Sequence, residues 1–251
     1  MGTSNRLRVW FVLALLAVQM TAVALVRGQE LEPRMLVDSP TAGLLERGSY
    51  AIDLRIEPGG GLLTGISVGL ASRFMLGVSY GASSIVGAGW PDWNPRVEFA
   101  ARYRFIDETP YLPAVALGFD SQGFGGFDDA KDRYHIKSRG FYATASKSLA
   151  FLGPTSVHAG ANYSLERDDE DKDVNVFAGI EKGLNPELVL VAEYDAALND
   201  DVLADPRKGY LNAGVRWMFA GQLTLGFDFK DLLEHSGHVN RSARVSYAEY
   251  F

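Results

Sequence analysis

The sequence predicts an all-β protein, an antiparallel up-and-down transmembrane β-barrel of about twelve strands. Three observations lead there. Apolar and polar residues alternate at period two in segment after segment from Tyr50 to Phe251. The connections between these segments are short and long by turns. The chain also opens with Arg6 and Arg8, an apolar run from Val9 to Val26 and a small-residue end, the layout of an export signal.

Composition narrows the classes. The chain has 251 residues, 47% hydrophobic and 22% charged, which excludes disorder over most of its length. Its 27 glycines and 12% aromatics suit short strands better than helices. A formal net charge of -7 argues against nucleic acid as a partner, because phosphate binding needs a basic surface. Zero cysteines exclude disulfides and thiolate metal sites. The expected organisation is a signal peptide over 1–28, a short N-terminal lead over 29–48 and a barrel over 49–251.

The elements follow in order. In "YAIDLRI", Tyr50, Ile52, Leu54 and Ile56 oppose Asp53 and Arg55. "TGISVGL" and "FMLGVSY" flank Ser72-Arg73, a two-residue turn signal for a hairpin. "RVEFAARYRF" sets Val97, Phe99, Ala101, Tyr103 and Phe105 against Arg96, Glu98, Arg102 and Arg104; helical spacing would mix arginine with phenylalanine on every face. "VALGF" and "FYATASKS" come next. "VHAGANYSL" then opposes Val157, Ala159, Ala161 and Tyr163 to His158, Gly160 and Asn162. "VNVFAGIEK", "LVLVAEYD", "YLNAGVRWMF" and "LTLGFDFK" continue the series, and "ARVSYAEYF" closes it. Most approach the roughly 9 to 11 residues that a tilted strand needs to cross a bilayer.

Short turns at "SR", "DETP", "FLGP", "GLNPE" and "AGQ" alternate with long polar connections such as "GASSIVGAGWPDWN", "DSQGFGGFDDAKDRYH" and "ERDDEDKD". An outer-membrane barrel has this asymmetry, with tight periplasmic turns on one rim and outer loops on the other. It places the start of the first strand and the end of the last on the short-turn rim, where they pair. Aromatics at segment ends, among them Tyr50, Tyr80, Phe105, Tyr163, Tyr194, Trp217 and Phe219, suit interfacial girdles. The expected surroundings are therefore outer-membrane lipid, in the bacterial cell outer membrane.

The phrases "SPTAGLLERGSYAIDLRI", "LLTGISVGLASRFMLGVSYG", "WPDWNPRVEFAARYRFIDETP" and "NPELVLVAEYDAALND" resemble bacterial outer-membrane barrels of the YjbH-like group. The resemblance extends from about Pro40 to Phe251 and implies a link to the export or regulation of extracellular polysaccharide. Phe251 is similar to the terminal aromatic that such barrels present to the barrel-assembly machinery, a partner that the resemblance implies. Glu249 stands where a companion aromatic is usual, with Tyr247 next on the same face.

Chemistry in the sequence is concentrated on the polar strand face. Asp53, Arg55, Arg96, Glu98, Arg102, Arg104, Glu181, Glu193, Asp195, Arg216, Asp228, Lys230 and Arg244 are expected to line the lumen. Buried charges persist only when paired or hydrated, so the lumen is either a salt-bridged plug or a narrow wet channel. Loop candidates for sugar stacking are Trp90, Asp92 and Trp93, with a loop folded over the rim as the alternative. "RDDEDKD" reads as a solvated loop, since it lacks the ligand spacing of a calcium site. His235 and His238 lie in a loop, and Ser156 with His158 has nucleophile-base spacing without an evident third group. The expectation is a non-enzymatic barrel with no metal and no cofactor. It acts as a narrow polar channel for a small solute or as an envelope accessory linked to polysaccharide. The alternatives are a plugged structural barrel with binding loops and a secreted soluble β-barrel or sandwich.

Overall fold

Period-two alternation gives every strand one polar and one apolar face, and ring closure decides which of them is inside. A computed structural model describes residues 32–150, 152–200, 208–219 and 221–251. The signal-peptide expectation lies outside the described residues. The strands, in order, are β1 (Ser49–Glu57), β2 (Gly61–Ala71), β3 (Phe74–Ser83), β4 (Asp92–Trp93) and β5 (Glu98–Ile106). Next come β6 (Ala114–Asp120), β7 (Phe124–Asp128), β8 (Arg133–Ile136), β9 (Gly140–Ser148) and β10 (Thr155–Tyr163). The last five are β11 (Asn175–Gly183), β12 (Leu188–Asp195), β13 (Tyr210–Phe219), β14 (Leu223–Lys230) and β15 (Asn240–Tyr250).

Among the described residues, twelve strands form a closed antiparallel ring, and β4, β7 and β8 belong to its long connections. Closure is made by β1 against β15, from Ser49 opposite Tyr250 to Ile56 opposite Ala243. Among the described residues it leaves the twelve-strand ring without an unpaired edge. The Phe251 N–H donates to the Gly48 carbonyl at 2.9 Å and its ring stacks on Tyr50 at 5.5 Å, so the end of the last strand is tied to the start of the first.

The apolar face is outermost. Ile52, Leu54 and Ile56 on β1, Leu76 and Val78 on β3, and Phe227 and Phe229 on β14 are all exposed. Tyr80, Phe105, Tyr194, Trp217 and Phe219 join them on the outer surface. The polar face is buried: Arg55 is 4% exposed, Glu98 1%, Glu193 1% and Asp228 2%. This burial pattern is the inverse of a soluble β-sandwich, whose apolar residues face inward.

Two features depart from the spacing of the sequence. The connection between β1 and β2, on the long-loop rim, is a tight turn over Pro58–Gly60, with Gly59 at φ 72°. The connection between β6 and β9 is not bare loop but carries the β7–β8 hairpin.

Candidate functional site

The barrel wall encloses polar groups, and a segment of the same chain enters to meet them. Residues 32–47, part of the stretch expected as a lead, fold back on themselves through a Met35–Pro40 bridge. The Leu36 N–H donates to the Ser39 carbonyl at 2.9 Å and the Thr41 N–H to the Arg34 carbonyl at 3.2 Å. Leu36, Val37, Ser39, Thr41 and Ala42 are 0% exposed. The segment is a plug inside the lumen.

Its tip is built to hold an anion. The backbone N–H groups of Val37, Asp38 and Ser39 donate to the Glu193 carboxylate at 3.0, 2.8 and 2.9 Å. Successive amides in a turn make such a concavity. Asn212 Nδ2 donates to the same carboxylate at 2.8 Å. Asp38 in turn pairs with Arg55 and, at 2.9 Å, with Lys230. Burial alone would raise the Asp38 pKa, but these two cations outweigh it and hold the carboxyl well below the ordinary carboxylate range.

Arginines from around the wall satisfy the plug's carbonyls. Arg216 donates to Leu36 O at 2.7 Å, and Arg55 and Arg244 donate to Val37 O at 3.2 and 2.6 Å. Arg139 donates to Asp38 O at 3.1 Å, while Arg102 reaches Arg34 O at 2.9 Å and Gly43 O at 2.7 Å. The main chain of the plug is thus hydrogen-bonded to charged donors where a sheet or helix would otherwise be needed. Space for it comes from glycines on the inner face. A Cβ on Gly179 would lie 2.3 Å from Leu36 Cδ1, and one on Gly69 would lie 2.0 Å from the Glu46 carbonyl oxygen.

The opposite mouth is narrowed by the β7–β8 hairpin. Phe124 is 6% exposed and lies under the Arg55 guanidinium at 4.4 Å and the Lys230 ammonium at 5.1 Å. The Tyr134 hydroxyl donates to Glu98 at 3.1 Å. Arg133 ties the hairpin to two other loops through Asp169 and Asp200, both at 2.6 Å, and Lys137 pairs with Asp169 at 2.7 Å. Burial pushes the Glu166 carboxyl up to about 7 against the Ser138 N–H that it accepts.

Most of the residues expected on the inner face meet here. Asp53 pairs with Arg34, Asp195 accepts from Asn175 at 2.6 Å, Arg216 pairs with Asp228 at 2.5 Å, and Arg104 reaches Glu32 at 2.5 Å near the short-turn rim. Glu181 lies beside His158. Arg96 is a correction: it precedes β5 at the loop rim, with its side chain 49% exposed, and pairs there with Glu98. The alternation in sequence runs two residues further than the strand does. Trp90, Asp92 and Trp93 do not converge either. Trp90 is 93% exposed, whereas Trp93 stacks on the outward ring of Tyr80 at 5.8 Å. Asp169 of "RDDEDKD" is buried in ion pairs rather than solvated. Tyr247 faces outward and donates to Glu249. Among the described residues no carboxylate or histidine group is arranged to hold a metal.

Sequence reasoning misses Arg139, Asp38 and Asn212, which lie in connections or look like ordinary strand polar residues. The one available signal is in the lead itself, where Leu36, Val37, Leu44 and Leu45 are too apolar for an exposed arm.

A closed ring of twelve antiparallel strands, apolar outside and charged inside, is the fold of an outer-membrane porin-type barrel. The solved KdgM porin matches 81% of this chain and 99% of its own, at 13% identity and a TM-score of 0.50. A second structure, the KdgM porin in complex with disordered oligogalacturonate, matches with the same coverage, identity and score. The NanC porin matches at 9% identity with a TM-score of 0.47, over 80% of this chain and 99% of its own. At 13% identity the likeness to the KdgM porin is one of fold. No protein-family model and no curated protein matches the sequence.

Proposed function

We propose that this protein is a bacterial outer-membrane barrel whose polar lumen is closed at rest by residues 32–47 and admits a small anionic solute when that segment leaves. The observation that carries the reading is the way the plug is held. Beside the amide bonds to Glu193, it is held by hydrogen bonds from Arg55, Arg102, Arg139, Arg216 and Arg244 to its carbonyls and by the ion pairs of Asp38 with Arg55 and Lys230, which water or a polar anion can replace. An apolar plug would have no such competitor. Removing the segment would leave guanidinium groups facing a wet lumen, a lining that suits carboxylate-bearing solutes. The exposed aliphatic and aromatic belt supports lipid as the surrounding medium, with assembly machinery as the partner that inserts it.

The KdgM porin complex contains an acidic oligosaccharide, and the YjbH-like phrases of the sequence imply a polysaccharide link; together they favour an acidic saccharide as the solute. Single-channel conductance of the refolded chain tests this reading, compared with Arg102→Ala plus Arg216→Ala and with a chain lacking residues 32–44. The truncated chain should conduct steadily, the intact chain rarely. A truncated chain that inserts and stays silent would refute a passage through the lumen.

A second reading is an envelope accessory that binds at its loop mouth. It is favoured by a cavity of about 120 Å³ at that rim, lined by Arg96, Ser121, Asp132, Glu166, Arg167 and Asp168 among others.

A further inference from the structure

Ser146 on β9, His158 on β10 and Glu181 on β11 project into the lumen from three neighbouring strands, and the passage proposed above uses none of them. Ser146 stands directly opposite His158 in the β9–β10 register. Its Oγ lies 2.8 Å from His158 Nδ1, and His158 Nε2 lies 3.5 Å from Glu181 Oε2. Sequence spacing points to Ser156 as the serine nearest His158. Directly opposed residues on paired strands are closer, with Cβ atoms about 4.5–5.5 Å apart, than residues two apart on one strand, so Ser146 takes that place.

We propose that these three residues form a latent nucleophilic site that cleaves short acyl esters carried by a polar solute in the lumen. The Glu181 charge, 3.5 Å from Nε2 and acting through space rather than by a hydrogen bond, favours the tautomer with its proton there, leaving the Nδ1 lone pair to accept the Ser146 O–H. Ser146 Oγ then attacks the ester carbonyl while its proton passes to His158 Nδ1. The carbon–oxygen bond to the alcohol breaks, and that alcohol leaves with the proton. Water next attacks the acyl-serine with His158 again taking the proton; the carboxylic acid departs and the serine is restored. Glu181 is the positioning residue. The acyl group must be short, because Ala42, Ala114 and Ala116 close together beside the serine, and Ala114 is its direct neighbour on β6. The site is latent because the plug covers it: the Ala42 N–H donates to Ser146 Oγ at 2.8 Å.

The test is labelling of the folded full chain by a fluorophosphonate probe, with the adduct located by mass spectrometry. It is independent of conductance, so it can fail while the channel reading stands. Ser146 should be labelled in the wild type and at least about tenfold faster in Ala42→Pro, which removes the covering amide. His158→Ala should slow labelling by about 100-fold or more, the usual range for losing a general base. Glu181→Gln should slow it about tenfold with heat-modifiable migration unchanged, a split that a purely structural carboxylate would not produce. Hydrolysis of p-nitrophenyl acetate should follow the same order. If the folded wild type and Ala42→Pro are labelled no more than Ser146→Ala, or if His158→Ala labels at the wild-type rate, the proposal is overturned. Should Ala42→Pro fail to fold, the wild type against Ser146→Ala and His158→Ala decides.

Discussion

Replacing Glu193 with alanine should release the plug. The carboxylate accepts three backbone N–H groups, from Val37, Asp38 and Ser39, at 3.0, 2.8 and 2.9 Å. A hydrogen bond to a charged group contributes about 1.5–3 kcal/mol net, so three are worth about 4–5 kcal/mol at the low end of the range. The alanine also leaves those amides buried without an acceptor, which adds to the loss. At about 1.4 kcal/mol per decade, the seated-to-released ratio falls by about a thousandfold. The chain has no cysteine, so Ser39→Cys supplies a single thiol at a position that is 0% exposed. Maleimide should modify that introduced thiol about a thousandfold faster in the Glu193→Ala background than in the parent. Glu193→Gln, which keeps an acceptor oxygen but loses the charge, should fall between them. Equal rates in two variants that both migrate as folded barrels would refute the claim that this carboxylate holds the plug.

Arg55→Ala leaves the carboxylates of Asp38 and Glu57 with Lys230 as their one ion-pair partner among the described residues. It should destabilise the barrel by about 3–5 kcal/mol, read as an earlier midpoint in urea unfolding from micelles. Gly179→Leu places a side chain where Leu36 sits, and should expose the thiol of the Ser39→Cys reporter to maleimide without opening the ring. Glu166 has a folded pKa of about 7 against an ordinary value of 4.5. Below pH 4.5 it contributes nothing; from there to pH 7 the unfolded chain ionises while the folded one does not, so stability declines, by on the order of 3 kcal/mol in all. Glu166→Gln should flatten unfolding midpoints across that window and raise stability at pH 8; a slope unchanged by the substitution would refute the assignment.

The barrel is readable in the sequence because its signals are local. Alternation in "RVEFAARYRF" specifies a strand whatever lies beside it, and the turn at Ser72-Arg73 recurs in the structure between β2 and β3. Strand ends are less legible: Arg96 continues the alternation in sequence but lies outside β5, because the chain there has turned into the loop that carries Trp93. The β7–β8 hairpin is hidden because "DSQGFGGFDDAKDRYH" is glycine-rich and polar. Its burial depends on Arg133, Asp169 and Asp200, which come from three separate loops.

The sequence by itself determined an antiparallel ring of about twelve strands with one charged and one apolar face, since period-two patterning and turn chemistry act over a few residues. Tertiary structure alone decided what fills the ring. The plug is held by wall residues up to 207 positions away, as in the Arg244 bond to Val37, and no spacing within residues 32–47 encodes that partner. The pairing of Ser146 with His158 is likewise a product of register, which places opposite one another two residues that the β9–β10 turn separates along the chain.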